Sequence, residues 1–267
     1  MDYIQAILLA LIQGLTEFLP VSSSAHLILP AQLLGWPDQG LAFDVAVHTG
    51  TLIAVIVYYR ASLRSLLFAT LGRGDALVER RREVLCLALA TLPAVAVGVL
   101  FADMIDSALR GIPVIATTTL LFGVLLGLSY AYRAPGIDEQ PITRLDHAIL
   151  IGLAQAFALI PGTSRSGVTM TAALFLGYNI ASAARFSFLL SIPVIAGALL
   201  LMLVREWGAL FASSSVLLTV SAMLIAALSA YATIAFFVSL VARVGMMPFV
   251  IYRIFLAMVL FLIVVFV

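Results

Sequence analysis

Charge is what this sequence lacks most. Only 10% of its 267 residues are charged while 64% are hydrophobic, whereas a soluble domain carries about 25% charged residues. With a mean hydropathy of +1.19, a soluble globular fold is excluded and the chain reads as an all-α integral membrane protein. The net charge of +1 leaves no basic surface for nucleic acid. The single cysteine, Cys86, lies in an apolar run; it excludes an internal disulfide and is expected to serve packing. Lysine is absent: all fourteen basic residues are arginine, none precedes Arg60, and six fall within residues 60–82. The start, MDYIQ, has an acid and no base before its apolar stretch. That is not the charged beginning of a secretory signal, so the segment is expected to be retained.

A spanning helix needs about 20 apolar residues, and the chain offers six such runs, at 43–59, 84–101, 112–132, 186–204, 215–241 and 246–267. Two further apolar segments are interrupted. Residues 3–19 and 25–35 flank Pro20 and a serine cluster, and residues 147–160 and 166–178 flank Pro161 and a second polar cluster. Each arm is too short to cross about 30 Å of hydrocarbon at about 1.5 Å per residue. The expectation is two re-entrant hairpins, tolerated where irregular backbone lines a cavity. Gly35-Trp36-Pro37-Asp38 reads as an interfacial turn, and Tyr58, Tyr59 and Trp207 as interfacial belt residues. Gly123 and Gly127 have the spacing of close helix contact.

The interrupted segments resemble each other. Ala6-Ile7-Leu8-Leu9 aligns with Ala148-Ile149-Leu150-Ile151 and sets Gln13 on Gln155. Dropping one residue then sets Pro20 on Pro161, Ser22-Ser23 on Thr163-Ser164, and Ser24 on Arg165. Each half, about 1–132 and about 146–267 of a single membrane domain, is thus a hairpin plus three crossings. Three is odd, so the second copy enters inverted, the plan that puts sites at the midplane between broken helices. With the arginine-rich segment 60–83 on the cytoplasmic side, the first hairpin enters from outside and the second from inside.

Both breaks read as helix starts, proline followed by hydroxyl residues able to cap free N–H groups. Two helix N-termini aimed at one place form an anion site suited to phosphate. Arg165 sits in the second break among Gly162, Thr163, Ser164, Ser166, Gly167 and Thr169. A guanidinium inside a membrane needs a polar cavity and partners, and phosphate suits its fork. The first break supplies Glu17, Ser22, Ser23 and His26, with Gln13 one helical turn before Glu17. His26 reads either as a hydrogen-bonded core histidine or as an acid–base group for Ser23. Hydroxyl, histidine and carboxylate together offer nucleophile, base and orienting group; equally, Glu17 could hold a divalent cation against a diphosphate. His48 with Asp44 is read as outer vestibule, His147 with Asp146 as interface, and Arg185 as an anchor at the cytoplasmic end of a span.

QGLTEFLPVSS..H at 13–26 and PGTSRSGVT at 161–169 resemble the undecaprenyl-diphosphate phosphatase family, also called the bacitracin-resistance protein family. FSFLLSIP at 186–193 and PFVIYRIF at 248–255 are similar to it as well. The likeness runs the full length. It implies hydrolysis of undecaprenyl diphosphate to the monophosphate and inorganic phosphate, recycling the cell-wall lipid carrier at the outer face of the bacterial inner membrane. The family's acidic E/Q-x-x-x-E motif maps to Gln13 and Glu17, and its phosphate-binding motif to Ser164, Arg165, Ser166 and Thr169. Its proposed catalytic serine and histidine map to Ser23 and His26. Members often carry glutamate where this chain has Gln13, so a magnesium or calcium ion would here have Glu17 alone. The expected partners are the diphosphate, the bilayer and a second copy of the chain. The acid-phosphatase-like lipid phosphatases are excluded, because their motifs need a lysine and a histidine that SRSGVTMTAAL and its surroundings lack. The rival class is a transporter or flippase of undecaprenyl phosphate, a common use of inverted repeats; the Ser23, His26 and Glu17 set favours the hydrolase, because transport does not need it.

Overall fold

A computed structural model describes residues 2–36, 40–72, 77–135, 138–205 and 216–266. Among the described residues there are eleven α-helices and no strand. They are α1 (Tyr3–Thr16), α2 (Ser23–Leu34), α3 (Leu41–Tyr58), α4 (Arg60–Leu71), α5 (Val78–Ala108), α6 (Ile112–Tyr132), α7 (Leu145–Ala156), α8 (Arg165–Phe175), α9 (Ile180–Arg205), α10 (Val216–Val244) and α11 (Met247–Phe266). The expectations for Pro37, Asp38 and Trp207 fall outside the described residues.

Five helices, α5, α6, α9, α10 and α11, are long and apolar enough to cross a membrane, and six do so if α3 and α4 count as one span. This is a multi-pass membrane protein. Its outward faces are apolar, with Leu100 and Val265 each about three-quarters exposed (73% and 74%), as helices that meet lipid require. The segment 60–83, expected as a loop, is largely helical. After a 75° bend at Tyr59, α4 turns Leu66 and Ala69 inward, and α5 already begins at Val78. Arg81 fastens the two by donating to the carbonyls of Ala69 (2.8 Å) and Gly72. Arginine content set the expectation of a loop; the amphipathic spacing of buried residues decides for helix.

Small residues let the helices close on one another. α1 packs on α10 and α7 on α5. A side chain at Gly14 would strike the Ala226 carbonyl at 2.7 Å, and one at Gly152 the Ala90 carbonyl at 2.7 Å. A side chain at Gly123 would come within 3.0 Å of Arg253 of α11, and one at Gly127 within 3.1 Å of Val250, which is the packing use their spacing suggests. The main core is aromatic: Phe188 meets Phe18 and Phe237, each at 5.6 Å between centroids. Cys86 lies in this core, fully buried.

Two short helices start inside this framework. α2 begins at Ser23 after the chain doubles back past Pro20, and α8 begins at Arg165 after Pro161. The residues just before them, Ser22 (φ 75°, ψ 95°) and Ser164 (φ 68°, ψ 112°), are the two non-glycine residues with positive φ among the described residues. Such a conformation costs about 1–3 kcal/mol and persists where its surroundings enforce it. It also bears on the alignment of the two interrupted segments. Ser22 stands nine residues after Gln13 and Ser164 nine after Gln155, so the two strained positions match in spacing with no residue dropped, which would set Ser23 rather than Ser24 beside Arg165 in the alignment.

Candidate functional site

The sequence places four titratable or nucleophilic candidates in two stretches separated by about 140 residues, and the fold joins three of them. Glu17, the C-cap of α1, is the hub. Its Oε2 accepts from Gln13 Nε2 at 3.0 Å and from Ser23 Oγ at 3.0 Å. Its Oε1 accepts from Arg165 Nη2 at 3.3 Å. Both ionic partners are nearly buried, 9% exposed for Glu17 and 10% for Arg165, so each charge depends on the other. Arg165 also donates to the Ser187 carbonyl of α9 at 3.2 Å.

The two breaks are tied directly. Ser24 Oγ accepts from the Gly162 N–H at 3.2 Å, and Ser166 Oγ donates to the Leu19 carbonyl at 2.9 Å. Ser164 caps its own helix, accepting from the Gly167 N–H at 3.2 Å. Ser22 makes no such cap, so the first N–H groups of α2 have no side-chain oxygen on them. Thr169 reaches the Ser187 hydroxyl at 2.7 Å and holds α8 to α9. Gly162 has φ 91°, and a side chain there would meet the Thr118 hydroxyl and the Ile115 carbonyl, the latter at 2.5 Å; only glycine fits.

A residue that sequence reasoning missed holds the whole. Arg253, in the middle of α11, is fully buried. It donates to the carbonyls of Thr119 in α6 (3.3 Å), Pro20 in the first break (3.4 Å) and Gly162 in the second (3.0 Å). Helix-breaking proline leaves carbonyls without intrahelical partners, and one planar fork satisfies those of both breaks. The hints in the sequence are a lone arginine within the very apolar final helix and its place in PFVIYRIF, one of the stretches similar to the family.

A cavity of about 230 Å³ opens on this cluster. Its polar wall includes Glu17, Ser22, Ser23, Ser164 and Arg165, and its apolar wall comes from residues 194–202 of α9. Of the residues singled out beforehand, Gln13 stands behind Glu17, and Gly162, Thr163, Ser166 and Thr169 form or brace the second break without lining the cavity. His26 does not line it either. Its Nδ1 meets the Ser22 carbonyl at 2.7 Å and its Nε2 the Tyr252 hydroxyl at 2.5 Å, and the two rings stack at 5.7 Å. Both ring nitrogens are thus engaged by Ser22 and Tyr252, and neither meets the Ser23 hydroxyl, which donates to Glu17 instead. The histidine in the cavity wall is His48, from α3. The Asp44 carbonyl holds its Nδ1 at 2.8 Å, so Nε2 is the nitrogen left for a ligand. Beside the polar cavity and sharing Ala94, Leu159, Val194, Ala198 and Met202 with it, a mainly apolar groove of about 290 Å³ runs between α5 and α9.

The donor set fits an anion and does not fit a protein-held divalent ion. Among the described residues no three His, Cys, Asp or Glu side chains gather. Both oxygens of the one carboxylate already accept hydrogen bonds, one from a guanidinium, whereas magnesium and calcium want several free oxygens.

The chain matches the family model described as "Bacitracin resistance protein BacA" over residues 6–259. It is 55% identical to an undecaprenyl-diphosphatase of Alcanivorax borkumensis, over 96% of this chain and 97% of that protein. It is 53% identical to one of Teredinibacter turnerae, over 98% and 99% of the two chains. A third, from Hahella chejuensis, is 51% identical over 95% of each.

Proposed function

The chain belongs to the bacitracin resistance protein BacA family, and we propose from this and from its site that it hydrolyses undecaprenyl diphosphate to undecaprenyl phosphate and inorganic phosphate. The reaction returns the lipid carrier to cell-wall synthesis in the bacterial inner membrane and gives bacitracin resistance. The observation that carries the mechanism is the Ser23 hydroxyl donating to Glu17 at 3.0 Å while Glu17 also accepts from Arg165.

The diphosphate enters the cavity and the prenyl tail lies in the adjoining apolar groove. Arg165 and the uncapped start of α2 face the terminal phosphoryl group and stabilise the charge that spreads over its oxygens. Ser23 Oγ attacks the terminal phosphorus while Glu17 takes its proton. The bond from phosphorus to the bridging oxygen breaks, and Glu17 passes the proton to the departing monophosphate. A water then attacks the phosphoserine, giving its proton to Glu17; the bond from phosphorus to Ser23 Oγ breaks, Glu17 returns the proton to that oxygen, and inorganic phosphate leaves. Gln13 orients Glu17 from behind. His26 is a positioning residue: it holds the Ser22 carbonyl, and with it the strained start of α2, against Tyr252 of α11. No step runs through a metal.

The fold is read as an inverted repeat of six crossings and two hairpins. The support is the paired strained starts at Ser22 and Ser164, and the matching of α1 on α10 with α7 on α5. The cavity wall on α9 comes from residues 194–202, far from that helix's start; with the arginine-rich segment cytoplasmic, the site opens outward.

Rapid quenching of the protein with farnesyl diphosphate labelled on its terminal phosphorus tests the mechanism. Label is expected on Ser23 during turnover and absent from Ser23→Ala. Full turnover by Ser23→Ala would refute attack by that hydroxyl and leave direct attack by water.

A further inference from the structure

A second polar cavity lies at the other end of the molecule. It holds about 330 Å³ between the ends of α3, α6 and α10 and the first turns of α9. The hydrolytic cavity is walled by α9 from Val194 onward and this one by α9 up to Arg185, roughly 14 Å apart along the helix at about 1.5 Å per residue. The two share no residue.

Its charge is predominantly positive. Arg133, Arg185 and Arg243 line it, against the single lining carboxylate of Glu139. Arg185 is 6% exposed. Its Nη1 is paired with the fully buried Glu83, and its Nε lies 3.6 Å from Glu139. Glu83 is shared in turn with Arg80 at 3.3 Å, so four guanidiniums stand against two carboxylates. Among the described residues, the buried Nη2 of Arg185 has no hydrogen-bond partner. Arg133 uses one N–H on the Tyr130 carbonyl at 2.6 Å, with its Cζ over the Tyr130 ring, 3.7 Å from the centroid. That stacking fixes the guanidinium while leaving most of its donors unspent. Arg243, in the last turn of α10, has no protein partner among the described residues.

A buried charged donor without a partner is costly, and native structures satisfy such groups with water or a ligand. Guanidinium forks fit phosphate oxygens, which accept two N–H groups at once. Basic pockets between membrane helices are also where phosphate head groups bind. We propose that the cavity lined by Arg133, Arg185 and Arg243 is a second anion site that takes a phosphate group at the end of the protein opposite the hydrolytic pocket. Its ligand class is a phosphate monoester anion, supplied either as the head of a prenyl monophosphate or as free phosphate. Arg185 Nη2 and the free arms of Arg133 and Arg243 are its donors, and Glu83 and Glu139 hold Arg185 in place.

The inference stands apart from the hydrolytic reading, because it is tested by binding without turnover. Calorimetric titration of the detergent-solubilised full chain would use two probes, farnesyl monophosphate and inorganic phosphate. It would be run on Arg165→Ala, which lacks the guanidinium of the first site, and on that variant carrying Arg133→Gln and Arg243→Gln as well. The expected result is one saturable site in Arg165→Ala that weakens at least about tenfold in the triple variant. In the otherwise native chain, Arg133→Gln with Arg243→Gln should leave phosphate release and the melting temperature unchanged. Both arginines are at least partly exposed, so the fold does not depend on them; Arg165→Lys serves should Arg165→Ala lose its cooperative transition. Binding of farnesyl monophosphate alone identifies a lipid head group, and equal binding of both probes identifies free phosphate as sufficient; either upholds the site. No saturable binding of either probe to Arg165→Ala, or binding indifferent to the two further substitutions, would overturn it.

Discussion

Replacing Arg253 with leucine should loosen both breaks at once. The guanidinium serves three carbonyls, on Thr119, Pro20 and Gly162, at 3.3, 3.4 and 3.0 Å. Each of these charge-assisted hydrogen bonds is worth about 1.5–3 kcal/mol, although only the Pro20 carbonyl is left bare, since Thr119 lies inside α6 and the Gly162 carbonyl keeps the Thr119 hydroxyl at 3.3 Å. Against this, removing a fully buried guanidinium with no carboxylate beside it relieves several kcal/mol of desolvation. A net loss of about 3 kcal/mol follows, or about 6–12 °C in melting temperature for a chain of this size. Arg253→Lys separates charge from geometry. One ammonium cannot span carbonyls on three elements, so lysine should keep more stability than leucine and still lose most of the turnover. The assay is thermal unfolding in detergent beside phosphate release under saturating substrate. An Arg253→Leu protein that melts within a degree of the parent and turns over at the parent rate would refute the claim that this fork holds the breaks.

Glu17→Gln should lower kcat by about 10²–10⁴, the usual worth of a general base, and should also weaken thermal stability by leaving Arg165 without its counter-charge; unchanged kcat in a phosphate-release assay would remove Glu17 from the chemistry. Gly162→Ala should abolish activity, because the added methyl meets the Thr118 hydroxyl and the Ile115 carbonyl at a φ of 91°, with circular dichroism showing the helices retained. His48→Gln should raise KM, since His48 lines the cavity. His26→Gln should instead lower stability and kcat together through the start of α2, and a His26→Gln protein with its melting point intact and kcat alone reduced would return His26 to proton transfer.

Local signals carried much of the site. Proline followed by hydroxyl residues marked both helix starts, and the four-residue spacing of Gln13 and Glu17 put them on one face, where they are hydrogen-bonded at 3.0 Å. The short arms on either side told of broken helices because length alone forbids a crossing. What stayed hidden depends on pairing across the chain. Arg253 reaches carbonyls 91, 134 and 233 residues away, and nothing near it in sequence announces that both breaks meet α6 there. His48 looked like vestibule because its role comes from the way α3 lies against the first break, not from its neighbours. His26 was offered a partner in Ser23 by spacing of three, yet the ring turns to Tyr252, a contact 226 residues distant. The dropped residue in the alignment of the two segments came from matching prolines; the strained serines at 22 and 164 match in spacing without it, a backbone feature that the letters alone do not show.

The central claim is that the two breaks form one hydrolytic site, and the most direct measurement is inorganic phosphate release from farnesyl or undecaprenyl diphosphate by the purified protein, beside Arg165→Ala and Glu17→Ala. One substitution falls in each break. Release by the parent and its loss in both variants, each still folded, is the predicted result. Release that survives either substitution undiminished would contradict a shared site, and no release from the well-folded parent would contradict the hydrolysis itself.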